Sequence, residues 1–252
     1  MDKGIYTAVA SINSQRMQET NSVHELANVS TFGFKKAYQM ALQSYRVDGD
    51  GFKTRYLAGN AAQGIVDLTP GSRIATGNDM DIFMNGSTVL GVQNDEGQTA
   101  FTRRGDIRPN QNGELALTTG QVVLNDGGGP IAVPIDQILS ISDEGVIYAM
   151  DPNDETGATQ EVARLMLRDS SAVSLEKMED GLFKVSGQEP GDFANGPEEV
   201  SVSSGQLEGS SSNAMDVMVD MINGTRSFEM KMKLVKELGD LGDSNNTLMR
   251  LA

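Results

Sequence analysis

The residues of this 252-residue chain that could do chemistry are few, and their spacing does not suit it. There is no cysteine, which removes thiolate nucleophiles, thiolate zinc sites and disulfides together. The one histidine, His24, lies in the polar run Asn21-Ser22-Val23-His24-Glu25 and reads as a solvated or interface residue. No GxSxG elbow accompanies it, so no nucleophile–base pair is visible. Two acidic loops, Asp48-Gly49-Asp50-Gly51 and Asp151-Pro152-Asn153-Asp154-Glu155, open like calcium loops. Neither has a glycine at the sixth position with an acid at the twelfth. The run Gly127-Gly128-Gly129-Pro130 lacks the Lys-Ser/Thr and the following helix of a phosphate cradle, so it reads as a turn. The expectation is no catalytic residue, no cofactor and no metal.

Charge narrows the classes further. Twenty basic residues stand against 35 acidic ones, a formal net charge of −15. A nucleic-acid binder needs a basic face to displace counterions, so that class is excluded. No run approaches 18 apolar residues, which argues against membrane insertion. The opening MDKGIYTAVASINSQ has no apolar core of the secretory type, so no cleaved signal peptide is expected.

The residue classes also segregate along the chain. All seven prolines lie between 70 and 197, and 23 of 28 glycines between 48 and 213. Residues 48–213 hold 10 basic and 26 acidic groups, the whole of the acidic excess. Two breaker-poor ends therefore flank a turn-rich acidic centre, which predicts helical ends and a β centre.

In the N-terminal end, Ile5, Val9, Ile12, Arg16, Glu19, Val23 and Leu26 follow a 4-3 spacing, a heptad stripe apolar at five of seven positions. A helix of about 28 residues would span roughly 42 Å and stop where Asn28 to Gly33 gather turn formers. At the other end Ala214, Met218, Met221, Thr225, Phe228, Met232 and Val235 repeat the spacing, widened by Met215, Val219 and Ile222. Gly224 interrupts it, which predicts a bend or a close approach.

The centre is punctuated by Asn85-Gly86, Asn94 to Gly97, Asn110 to Gly113, Asn125 to Gly129 and Asp143 to Gly145. Asn85-Gly86 predicts a hairpin between MDIFM and STVLGVQ. Segments 162–169 and 181–186 read as single strands, and 187–205 as loops. Strands every 8–12 residues suggest a sandwich or barrel.

A lone amphipathic helix is marginal in water, so each stripe needs a partner. The candidates are the other terminal helix and the helices of neighbouring copies. The alternative is that both helices pack on the β core of a monomer.

The segment Leu26-Ala27-Asn28-Val29-Ser30-Thr31-Phe32-Gly33-Phe34-Lys35 resembles the LANxxTxGFK signature of the bacterial flagellar rod and hook proteins, with Phe32 where proline is usual. Leu207-Glu208-Gly209-Ser210, Met221-Ile222 and Arg226-Ser227-Phe228-Glu229 resemble the family's closing segment. It departs at Ser211-Ser212-Asn213-Ala214, where Asn-Val usually follows the serine. Asp79-Met80-Asp81-Ile82, Phe101-Thr102-Arg103-Arg104-Gly105 and Asn112-Gly113-Glu114-Leu115 follow the order of the family's sheet motifs. The chain's opening, Met1-Asp2 with Ile5-Tyr6-Thr7-Ala8, and Phe228 to Lys233 look most like the proximal rod branch.

The resemblance implies a fold that is α+β, mainly β: a central all-β domain flanked by N- and C-terminal α-helices that pair in a coiled-coil-like arrangement. Residues 1–35 and 206–252 would form the terminal helical, inner-tube domain, 36–64 a connecting segment and 65–205 the central β domain. It implies a structural subunit of the flagellar rod, localised to the basal body, where the rod crosses the periplasm. Its partners would be other copies of itself, other rod proteins and the flagellar type III export apparatus. The expected subunit-interface residues are Ile5, Val9, Ile12, Val23, Leu26, Met218, Met221, Ile222, Phe228, Met232 and Val235. Ala27, Asn28, Thr31, Gly33, Phe34 and Lys35 carry the signature. Rival readings are a distal rod or hook-type protein, and a secreted acidic β-domain adhesin with oligomerising helical ends.

Overall fold

In the computed structural model, residues 2–39, 43–49, 52–59, 64–134, 137–152 and 158–250 are described, with side chains for 11–37, 64–134, 137–152, 158–237 and 239–240. Helix α1 spans Asp2–Ala27. The strands are β1 (Ala37–Gln39), β2 (Gln43–Gly49), β3 (Phe52–Gly59), β4 (Gly64–Val66), β5 (Arg73–Ala75), β6 (Ile82–Met84), β7 (Thr88–Gln93), β8 (Thr99–Thr102) and β9 (Ile107–Pro109). They continue as β10 (Leu115–Leu117), β11 (Ile138–Ile141), β12 (Val146–Met150), β13 (Thr159–Arg164), β14 (Leu167–Asp169), β15 (Leu175–Lys177), β16 (Phe183–Val185), β17 (Val202–Ser204) and β18 (Gln206–Glu208). Helix α2, Ala214–Arg250, closes the chain. The protein is mainly β with one long helix at each end.

Two compact units emerge. One comprises Met1–Val29, Ser44–Gly59 and Ser212–Ala252, and the other Ser30–Gln43 and Asn60–Ser211. Segments 30–35 and 206–211 thus belong to the β unit, and 206–208 are strand. The stretch 36–64 holds β1, β2, β3 and the first residue of β4.

The β unit is built on a seven-stranded sheet ordered β1-β4-β15-β16-β8-β7-β14. Strand β7, next to the edge strand β14, is buried on both faces. Its alternate residues Leu90 and Val92 enter one apolar cluster with Ile82, Ile107, Leu115 and Ile147, while Val89 enters a second with Phe101, Leu175 and Phe183. A strand buried on both faces reads as a continuous apolar run. Fully burying each such side chain contributes about 1.5–3 kcal/mol.

The hairpin turns at 94–97, 110–113 and 143–145 join β7 to β8, β9 to β10 and β11 to β12. Asn85-Gly86 does not join its flanking strands. A turn forms there, with Thr88 N–H on the Asn85 carbonyl at 3.1 Å, but β6 pairs with β17 and β7 with β8. Asn85 explains the difference. Its N–H donates to the Ser201 carbonyl and its amide to the Ser201 and Ser203 hydroxyls, so the turn is committed to the β17 side. Segment 162–169 is likewise two strands in different sheets. Leu165, Met166 and Leu167 are buried in succession, and the chain crosses from β12 to β7 there. The 187–205 loop includes β17.

Gly105 sits where a Cβ would fall on the Ile82 carbonyl, and its own carbonyl accepts from Ile82 N–H at 3.0 Å. Gly105→Ala should destabilise the β unit by about 1–3 kcal/mol or more, read as a fall in the urea midpoint at unchanged m-value.

Candidate functional site

The two segments that run toward the helices meet inside the β unit, on a buried ion triad. Glu208, at the end of β18, accepts from Lys35 Nζ at 2.6 Å and from Arg103 Nε at 2.8 Å, and all three side chains have no solvent exposure. Gly71 N–H reaches the same carboxylate at 2.6 Å. The cations are held in turn. Lys35 Nζ also donates to the Thr69 carbonyl at 2.6 Å, and Arg103 Nη1 to the carbonyls of Gly86 at 2.8 Å and Thr88 at 2.7 Å. Around the triad the two segments are stapled together. Gly33 N–H donates to the Glu208 carbonyl at 2.8 Å, Ser211 N–H to the Phe34 carbonyl at 3.0 Å, and Lys36 N–H to the Ser211 hydroxyl at 2.9 Å.

This geometry gives the signature residues individual jobs. Gly33 has φ +66, and an added Cβ would lie 2.6 Å from the Arg103 carbonyl carbon and oxygen. Only glycine tolerates both conditions. Phe34 is buried under Lys177, whose Nζ lies 4.0 Å from the ring centroid. Thr31 offers its carbonyl to Phe34 N–H. In the helical unit, Asn28 follows α1 and its amide donates to the His24 carbonyl at 2.8 Å, satisfying one of the unpaired carbonyls of the last turn. Ala27 and His24 are exposed. At the start of α2, the Asn213 side chain accepts from Met215 N–H at 3.0 Å as an N-cap.

Burial alone would push the Glu208 carboxyl up, but the Arg103 and Lys35 charges and hydrogen bonds outweigh it and hold it below its ordinary value. Burial pulls the Lys35 ammonium down, opposed by Glu208. Asp169 is also held low. Burial would raise it, but the Ser171 hydroxyl and N–H and the Glu198 N–H prevail.

Helices α1 and α2 pack antiparallel, with hydrogen bonds between them beside buried Val217 and half-buried Ile12, Met221 and Phe228. Lys231 Nζ donates to Gln15 Oε1 at 2.9 Å and to the Ser11 carbonyl at 3.4 Å, while Gln15 Nε2 donates to the Gly224 carbonyl at 3.3 Å. The close approach expected at Gly224 is this one. Among the expected interface residues, Ile12, Leu26, Met221, Phe228 and Val235 are half-buried. Val23 (53%), Met218 (48%), Ile222 (54%) and Met232 (47%) are exposed, as are Met215 and Val219. The backbone of Ile5 and Val9 lies in α1, but their side chains lie outside the described residues.

Among the described residues no group of His, Asp and Glu could hold a metal ion, and no helix is long and apolar enough to cross a membrane. The loops at 48–51 and 151–155 fall partly outside those residues. Arg103 and Glu208 stand within sequence motifs that do not show their meeting with Lys35. No local pattern signals a contact between residues 35, 103 and 208.

The profile of the flagellar hook protein FlgE/F/G D1 domain matches residues 83–149, and that of the flagellar basal body rod FlgEFG protein C-terminal region matches 203–248. The chain is 33% identical over 255 residues to the flagellar basal-body rod protein FlgF of Escherichia coli (strain K12), covering 100% of both chains. It is 32% identical to that of Salmonella typhimurium over the same span, and 24% identical to the rod protein FlgG of Bacillus subtilis (strain 168) over 93% of this chain and 94% of that one. The chain therefore belongs to the flagellar hook and basal-body rod protein family. It is a structural protein, not an enzyme.

Glu208→Gln leaves two buried cations without their counter-charge and should cost about 3–5 kcal/mol in urea unfolding. Gly33→Ala should cost about 1–3 kcal/mol through its backbone. Because Glu208 and Asp169 are held low, the unfolded chain binds more protons than the fold in the carboxylate range. Stability from these groups is full above about pH 5 and falls as the pH drops through the folded values. A urea series at falling pH should show this, with a shallower decline in Glu208→Gln.

Proposed function

We propose that this protein is a structural subunit of the bacterial flagellar basal-body rod, of the proximal F type, polymerising helically through its terminal helices. The observation that carries the reading is similarity along the whole chain to rod proteins of that name. The helices support it physically. Met215, Met218, Val219 and Ile222 recur at i, i+3, i+4 and i+7 on one face of α2, and all are exposed. A monomer that kept this face to itself would bury it, so exposure favours a neighbour's cover.

In this reading α1 and α2 pair in a coiled-coil-like arrangement, form the inner wall and contact other copies and other rod proteins. The apolar stripe residues, from Ile5 to Leu26 and from Met218 to Val235, supply that cohesion. The β domain lies outside and stiffens the rod. The subunit leaves the cytoplasm through the flagellar type III export apparatus without a cleaved signal peptide, and resides where the rod crosses the periplasm.

Deleting the gene should remove the rod and abolish swimming. Ile12→Asp and Met221→Asp should each block rod assembly while leaving the β unit's urea transition unchanged. Normal swimming in both variants, checked on soft agar and by electron microscopy of basal bodies, would contradict the reading.

A further inference from the structure

The helical unit carries two exposed stripes that its own α1–α2 contact does not use. On α1, Arg16, Thr20, Val23 and Ala27 are exposed at 4-3-4 spacing. On α2, Met218, Ile222, Thr225 and Glu229 are exposed at the same spacing. At 3.6 residues per turn, the stripe is turned roughly 110° from Gln15 on α1 and roughly 140° from Gly224 and Lys231 on α2, the residues that face the partner helix.

We propose that these stripes are each other's partners across two copies of this chain: α1 of one copy packs antiparallel on α2 of the next. The inference rests on the rod-subunit reading, because in a polar tube every α1 runs one way and every α2 the other. Contacts between α1 and α2 of different copies are then antiparallel, like the one within the chain. In that orientation one register matches both stripes end to end. Arg16 meets Glu229, opposite charges at one end. Val23 meets Ile222 in the middle, and Ala27 leaves room for Met218 at the other end. Thr20 and Thr225 meet between them. Each already donates its hydroxyl to its own helix, to the Arg16 carbonyl and the Met221 carbonyl at 3.0 Å, so each offers a methyl group outward.

The other pairings fit worse. Packing α2 on α2 antiparallel puts Met218 against Glu229, and packing α1 on α1 puts Arg16 against Ala27. The mixed contact uses one stripe from each copy and leaves the other stripe free, so it propagates instead of closing.

The chain has no cysteine, so introduced thiols report cleanly. Val23→Cys and Ile222→Cys, one of them tagged, are co-expressed in a strain lacking its own copy. Basal bodies are isolated and oxidised. The expected result is a disulfide dimer joining tagged and untagged chains, lost when either variant is expressed alone. A dimer from Ile222→Cys alone overturns the pairing, as does a cross-link to a different protein. So does the absence of any cross-link in rods that contain both variants. In parallel, Arg16→Glu should abolish swimming and Glu229→Arg should restore it in the double variant. A double variant no better than the single overturns the pairing. The two readings fail separately: rods that contain the chain without cross-links reject only this pairing, whereas basal bodies lacking the chain altogether reject the rod role.

Discussion

A carboxylate buried between two cations holds the junction on which the rest of this structure depends. Moving three charges out of water costs several kcal/mol each, and their mutual attraction offsets this only when nearly every lone pair and proton finds a partner. Glu208 meets that condition through Lys35, Arg103 and Gly71, and the two cations largely meet it through the carbonyls of Thr69, Gly86 and Thr88, with the buried Arg103 Nη2 left without a partner. An apolar trio of equal volume could be as stable. It would not supply directional bonds that fix five separate stretches of chain against one another. The triad therefore specifies where the segments around Gly33 and Glu208 lie more than it adds net stability.

The same logic applies to the motif residues of this chain. Gly33, Lys35, Arg103, Gly105 and Glu208 are each constrained by geometry that no other residue type meets at low cost. Gly33 needs a positive φ and an unobstructed approach to Arg103, and Gly105 needs contact with the Ile82 carbonyl. Arg103 must reach two carbonyls and a carboxylate at once, which suits the guanidinium fork better than an ammonium.

Much of this fold was legible in the sequence, and the illegible parts share a cause. Helical ends followed from the absence of proline, and the hairpins at Asn94, Asn110 and Asp143 from turn chemistry that acts over four residues. The partner of β6 was not legible, because Asn85 forms its turn locally but spends its side chain on Ser201 and Ser203, over a hundred residues away. The break at Leu165 was hidden by three consecutive buried residues, which carry no period. The triad was hidden because its members are brought together only by the finished sheet. Periodicity and turns report neighbours along the chain, whereas these features are set by neighbours in space.

The helices divide their apolar residues between a covered and an uncovered face. In an ordinary surface helix the apolar stripe faces inward. Here the bridging groups between α1 and α2 are Gln15, Lys231 and the Gly224 carbonyl, while Met215, Met218, Val219 and Ile222 face water. Val217 is buried and Ile12, Leu26, Met221, Phe228 and Val235 are half-buried, so the chain takes part of the apolar gain itself and leaves the rest uncovered. In the proposed rod such a subunit would risk premature association, which the excess of acidic groups in residues 48–213 would counter. Like charges repel over about 8–10 Å at physiological salt, so the β units discourage random encounters. Contact between helix faces acts only at van der Waals range, so in the proposed rod the ordered contact would still form once a neighbour held the next subunit in place. In the proposed rod, long-range repulsion and short-range cohesion would thus come from different parts of one chain.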